Sequence, residues 1–247
     1  NTVTLTGSSG SINTSWAVQI VHGKGLGQTR RISSTLGDVI TLSENWNVAP
    51  DTTSLIMLSD LTRRLVGYNN SFDGDPLNTV LNYGTPSRSI ASAGFQAYDC
   101  GASEWIIDNN TFYQIKSPVR LYGRFFPTIS GSSSYYTAGV YFNDVRNNTF
   151  NNCMNGVTYV ADSQTSSGTF VEATNFVGNL VFNNTFTNLT GQVVDYEISG
   201  HLTEKARILK GVFDQNTIYG ASSNLTGYSS DEWTQVNNTL NGSAWSP

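Results

Sequence analysis

Two carboxylates, Asp195 and Glu197, stand two residues apart in the run Val193-Val194-Asp195-Tyr196-Glu197-Ile198. If the run is a strand, both share one face, about 7 Å apart at the backbone. That spacing suits general acid/base or nucleophilic work on a glycosidic bond, or a Ca²⁺ ion bridged to an acidic sugar. Asp162 closes a similar run, Val157-Thr158-Tyr159-Val160-Ala161-Asp162, and Arg120 and Arg124 belong to another, Val119-Arg120-Leu121-Tyr122-Gly123-Arg124. His201 follows the Asp195 run directly, beside Glu204, Lys205 and Arg207; the chain's other histidine is His22. A histidine there is a candidate proton carrier near neutral pH, and a charged surface loop accounts for the same residues. No His/Cys/Asp grouping has zinc spacing, and no Ser-His-Asp set assembles.

Alternation decides which of these groups can meet. With Val119 and Leu121 inward, Arg120, Tyr122 and Arg124 face out. With Val157, Tyr159 and Ala161 inward, Thr158, Val160 and Asp162 face out. The same parity from Val193 would bury Asp195 and Glu197, at several kcal/mol if both stay charged. A one-residue shift buries Val194, Tyr196 and Ile198 instead, for the smaller cost of a bulge. The shifted register is the expectation. The catalytic candidates are then Asp195, Glu197, Asp162, Arg120 and His201, with Tyr122, Arg124, Tyr196 and Lys205 as substrate-binding candidates. An ordinary solvated sheet face explains the same charges, since charged side chains must lie outside anyway.

The elements that position these runs are legible from a repeat. Asn69-Asn70-Ser71-Phe72, Asn109-Asn110-Thr111-Phe112, Asn147-Asn148-Thr149-Phe150 and Asn183-Asn184-Thr185-Phe186 share one form, with looser copies at Gln215-Asn216-Thr217-Ile218 and Asn237-Asn238-Thr239-Leu240. From second Asn to second Asn the intervals are 40, 38, 36, 32 and 22 residues. A unit that recurs at a drifting interval is a stacked repeat with loops of variable length. Short β-branched or aromatic runs precede each pair, and Val119, Val157, Val193 and Leu225 each stand nine residues past the second Asn. Variation concentrates in 73–94, 124–137, 163–169 and 199–205, read as loops at one edge of the stack. Phe125, Phe126, Tyr135 and Tyr136 in these loops are candidates for stacking on sugar rings or for covering the core.

Asn suits a corner for two reasons. It tolerates the left-handed backbone region, and its amide both donates and accepts, so equivalent residues can bond along a stack. The aromatic or aliphatic residue two positions on points inward. Cys153 occupies the position of Ile115 and Leu189 in neighbouring units, which makes it a core thiol. A Cys100–Cys153 disulfide is an option the size of the chain does not require.

Residues 1–54 read as a compact antiparallel β-meander, with strands at Thr2–Thr6, Trp16–Val21, Gln28–Ile32 and Val39–Leu42, and 55–247 as the repeat domain. Gly23-Lys24-Gly25-Leu26-Gly27 imitates a phosphate loop. An extended stretch follows it, where a phosphate site needs a helix N-terminus, so a hairpin turn is expected. The net charge of −5 and the 13 Lys and Arg argue against nucleic acid. No apolar run reaches membrane length. Nine Asn-x-Ser/Thr sequons exist, four of them the repeat itself. A chain opening on Asn1 without a leader is expected of a processed, secreted protein.

The Asn-Asn-Thr-Phe repeat, followed by a Gly156-Val157-Thr158-Tyr159 type strand, resembles right-handed parallel β-helix proteins of the pectate-lyase-like superfamily, over roughly residues 55–240. The resemblance implies about five to six coils with an Asn ladder. It also implies a substrate path along the outer face of one parallel sheet, where Arg120 or Arg124 would abstract a proton or pair with a uronate. It is compatible with lyases, hydrolases and epimerases, and equally with tailspikes and adhesins. The expected partner is a polysaccharide or surface glycan, at an extracellular, cell-surface or virion-surface location. Oligomerisation, or stacking on a further β-helix segment, is expected if the open end of the ladder is to be covered.

Overall fold

The computed structural model describes residues 1–5, 12–74, 93–98, 100–127, 134–137, 139–162, 169–170, 173–198, 206–220 and 233–245. For Arg124, Asp162, Tyr196 and Glu197 it describes the backbone position alone. Five strands, Thr2–Thr4, Ala17–His22, Thr29–Leu36, Val39–Leu42 and Leu55–Ser59, form one antiparallel sheet. Its spatial order is first, fourth, third, second, fifth, so only the middle three strands meander. Val18, Ile32, Ile40 and Leu42 form its core. Gly23, Gly25 and Gly27 take φ of 75°, 85° and 90° between the second and third strands. Such angles favour glycine, and the expected turn, not a phosphate loop, is what forms.

From Leu61 the chain winds into a parallel β-helix. Sheet I stacks Leu61–Arg63, Gly101–Ser103, Val140–Tyr141, Ala173–Val177 and Ala206–Leu209. Sheet II stacks Val66–Tyr68, Ile106–Asp108, Asp144–Arg146, Leu180–Phe182, Gly211–Asp214 and Trp233–Val236. Sheet III stacks Ser71–Asp73, Thr111–Tyr113, Thr149–Asn151, Thr185–Thr187, Thr217–Tyr219 and Asn238–Leu240. Ser243–Trp245 then turns back antiparallel on the last of these, with Trp245 edge-on to Phe213 at 6.2 Å. Sheet IV, the candidate working face, stacks Phe95–Ala97, Val119–Pro127, Val157–Asp162 and Val194–Ile198.

The paired asparagines divide the work of the corner between sheets II and III. The first residue of each pair takes the left-handed turn: Asn69, Asn109, Asn147, Asn183, Gln215 and Asn237 have φ between 51° and 57°. The second is the rung. Asn148 Oδ1 accepts from the Asn110 backbone N–H at 2.8 Å and from Asn110 Nδ2 at 3.0 Å. Asn148 Nδ2 donates to Asn184 Oδ1 at 3.0 Å and to Ile107 O at 2.8 Å. All four bonds of a buried amide are made, and the pattern runs from Asn70 to Asn238. Beneath it Phe72, Phe112, Phe150 and Phe186 stack at centroid distances of 5.2, 5.0 and 4.7 Å, continued by Ile218 and Leu240.

A shorter ladder was not visible as a repeat. Between sheets I and II, Asn143 Nδ2 donates to Asn179 Oδ1 at 2.9 Å, and Asn143 Oδ1 accepts from Trp105 N–H at 3.1 Å. Only these two coils carry Asn there, so no period advertises it. Within 124–137, expected as a loop, Phe125, Phe126 and Pro127 pair antiparallel with Thr137, Tyr136 and Tyr135. Of the other expected loops, 75–92, 163–168 and 199–205 lie outside the described residues, as does Leu225. Both cysteines are free. Cys153 sits in the core with Ile115 and Leu189, and burial pushes its thiol above the usual range. No helix among the described residues is long and apolar enough to cross a membrane.

Candidate functional site

Sheet IV decides whether the acids face out. Its ladder pairs Val157 with Val194, Thr158 with Asp195, Tyr159 with Tyr196 and Val160 with Glu197. The shifted register is therefore the one adopted. Its means differ from expectation: the ladder itself runs without a bulge, and the extra residue lies in the preceding corner. There Gly156 N–H bonds Gln192 O and Val157 N–H bonds Val193 O. The nine-residue offset thus becomes ten in this coil. Val193 stays buried beside Val194, so the corner absorbs one more valine and Asp195, only half-buried, leaves the core.

Asn155 holds that corner. Its Oδ1 accepts from Gln192 N–H at 3.0 Å and its Nδ2 donates to Asp195 Oδ2 at 2.8 Å. One buried side chain thus supports the extra residue and orients the carboxylate it releases. Sequence reasoning passed over Asn155, because it belongs to no repeated pair.

The outer face presents Gln96, Arg120, Thr158 and Asp195 as one row across four coils. Tyr122, Val160 and Glu197 hold the next row. Arg124 and Asp162 are directly paired positions. Tyr196 falls on the register of the buried Tyr159, the inward parity. His201 and Lys205 lie outside the described residues. Parity is as expected, but the expected solvated face is not found: Thr158 is 0%, Val160 3% and Tyr122 6% exposed. Arg120 lies over the Tyr122 ring at 5.4 Å, a cation–π arrangement that fixes a long side chain. Tyr122 in turn packs on Tyr98 at 5.3 Å. Thr158 Oγ1 and Gln96 Nε2 are buried without a hydrogen-bond partner, which is unusual for polar atoms in a folded interior.

Two further charge clusters lie elsewhere. On sheet II, Arg146 bridges Asp108 at 3.2 Å and Asp144 at 3.0 Å. Burial, with Asp108 adding and Arg146 opposing, holds the Asp144 carboxyl above its ordinary range. On sheet I, Glu104 takes Arg63 and Arg64 at 2.8 Å each. Apart from Arg146–Asp144 on one strand, these pairs follow from coil stacking between residues 38 to 41 apart, which local spacing does not reveal. Among the described residues, no three His, Cys, Asp or Glu side chains gather to hold a metal ion. No protein-family model, curated protein or solved structure matches the chain, so what the molecule itself establishes is a parallel β-helix with an asparagine ladder.

Proposed function

We propose that the protein acts on, or holds, an extracellular polysaccharide along the outer face of sheet IV. The observation that carries this reading is the register that brings Asp195 to that face and fixes its carboxylate through Asn155. Glu197 stands two residues on at the same strand parity, a backbone spacing compatible with an acid and a base or nucleophile at a glycosidic bond. Arg120, stacked on Tyr122, supplies a fixed positive charge for a developing or resident anion. The test is a screen against uronic-acid and neutral polysaccharides, read by unsaturated products and by new reducing ends. Cleavage that survives in wild type and is lost in Asp195→Asn supports the reading.

The burial of Tyr122, Thr158 and Val160 favours a second reading, a rigid β-helix segment of a surface fibre, filament or tailspike. On that reading the screen is silent, and light scattering finds stable trimers or filaments.

A further inference from the structure

The antiparallel sheet packs one face against the outside of sheet I, where Gln19 Oε1 accepts from Gly139 N–H at 2.7 Å. The seam contains a cleft of about 340 Å³, large enough for one sugar-sized ligand. Strand alternation sorts the arginines around it. Arg30 pairs with Val18 and turns to its own sheet, where Asn45 O and Asn47 Oδ1 accept from it at 2.8 and 3.0 Å and Trp46 lies 5.3 Å beneath. Arg31 pairs with Ala17 and so shares the seam face with Thr29. It is exposed and forms no ion pair among the described residues. From the opposite wall comes Arg63, paired with Ser103 in sheet I.

Three observations point to an anion. Among the described residues no Asp or Glu lines the cleft, in a chain whose net charge is −5. Arg31 and Arg63 approach from opposing walls, and Glu104, the acid nearest Arg63, is shared with Arg64. Arg63 Nε and Thr29 Oγ1 are buried donors without partners, although Thr29 is only 2% exposed. A buried donor left unpaired is costly, and both belong to residues that line the cleft, where an acceptor oxygen would relieve that cost. Trp16, Thr14 and Ser15 also line it, an indole that packs in part on the core of the antiparallel sheet beside two hydroxyl-bearing residues, side-chain types that take a sugar ring.

We infer that this seam binds an acidic sugar, its carboxylate or sulfate ester between Arg31 and Arg63 and its ring against Trp16. The sugar ring rests on the glycan reading above; the anion does not. Calorimetric titration of the whole chain with a glucuronic-acid tetrasaccharide, a sulfated tetrasaccharide and a neutral counterpart tests it. Saturable one-to-one binding of either acidic probe is expected, and which one binds identifies the anion. Arg31→Gln weakens it about tenfold and Arg31→Glu abolishes it, as loss of a charge-assisted contact requires. Thr29→Val weakens it severalfold at unchanged melting temperature. Lys24→Gln, which removes an exposed charge at the turn outside the cleft lining, binds as wild type does. Absence of saturable binding by both acidic probes, or affinity indifferent to both Arg31 changes, overturns the site. Binding lost in Asp195→Asn but kept in Arg31→Glu also overturns it, while leaving the sheet IV reading intact.

Discussion

Asn155 Nδ2 donates a 2.8 Å hydrogen bond to Asp195 Oδ2, reaching from one coil to the next. The bond joins two features that would otherwise be unrelated, an extra residue in a corner and a carboxylate on the outer face.

If sheet IV cleaves a glycan, Asp195→Asn keeps the fold and lowers kcat by about 100-fold or more, the usual worth of a positioned acid or base. Asn155→Ala acts through Asp195: kcat falls less, and the acidic limb of the pH–rate profile moves. A profile that does not move assigns Asn155 to the corner alone. Melting curves and initial rates on the same samples separate the two.

The two asparagines of a pair answer differently to substitution. Asn148→Ala strips the acceptor from two Asn110 donors and costs roughly 3 kcal/mol, about 1–3 kcal/mol for each buried group left unpaired. Asn147→Gly is near neutral, because glycine takes the left-handed turn freely. Asn147→Val is strained by about 1–2 kcal/mol. Chemical denaturation of the three variants checks the order.

Glu104 links stability to acid. Burial alone would raise its pKa, but the hydrogen bonds and charges of Arg63 and Arg64 outweigh it and hold the carboxyl below its ordinary range. A depressed carboxylate stabilises above its unfolded pKa and loses that contribution as pH falls through the folded value. Glu104→Gln therefore destabilises at pH 7, by no more than about 1 kcal/mol given the exposure of the group. The difference from wild type fades as pH falls through the folded value, below the ordinary carboxylate range. Denaturation midpoints followed downward from pH 7 give the answer.

Asp144 has the opposite sign. Its raised carboxyl means stability is lost as pH climbs from the unfolded pKa through the folded one. Asp144→Asn relieves that loss at neutral pH, by less than about 1 kcal/mol because Arg146 already offsets part of it, and changes nothing in acid. A variant less stable than wild type at pH 7 would mean that the Arg146 contact dominates.

Much of this was legible in the chain. The Asn pairs and the inward Phe two residues on follow from a period, and the shifted register of Asp195 from the cost of burying a charge. What could not be read depends on coils meeting in space. The extra residue at 191–193 shows only when Val157 is set beside Val194. The Asn143–Asn179 ladder has too few rungs to form a pattern. The covering of Thr158 and Tyr122 depends on packing that strand alternation does not encode. Arg31 and Arg63 stand 32 positions apart and line one cleft only because the antiparallel sheet folds back on the helix.

The rungs at Asn110, Asn148 and Asn184 take their amide partners from the coils on either side, with one bond from Asn110 to Asp108 O in its own coil. The unit of tolerated change along this axis is thus a full circuit of the chain. Excising the 36 residues between equivalent points of neighbouring coils would bring like against like, with every amide still facing an amide. Excising one residue within a strand would turn its remainder inside out, whereas a corner can absorb one, as at 191–193. A lineage of such molecules would change length in whole circuits or at its corners and loops, keeping its surfaces free to diverge.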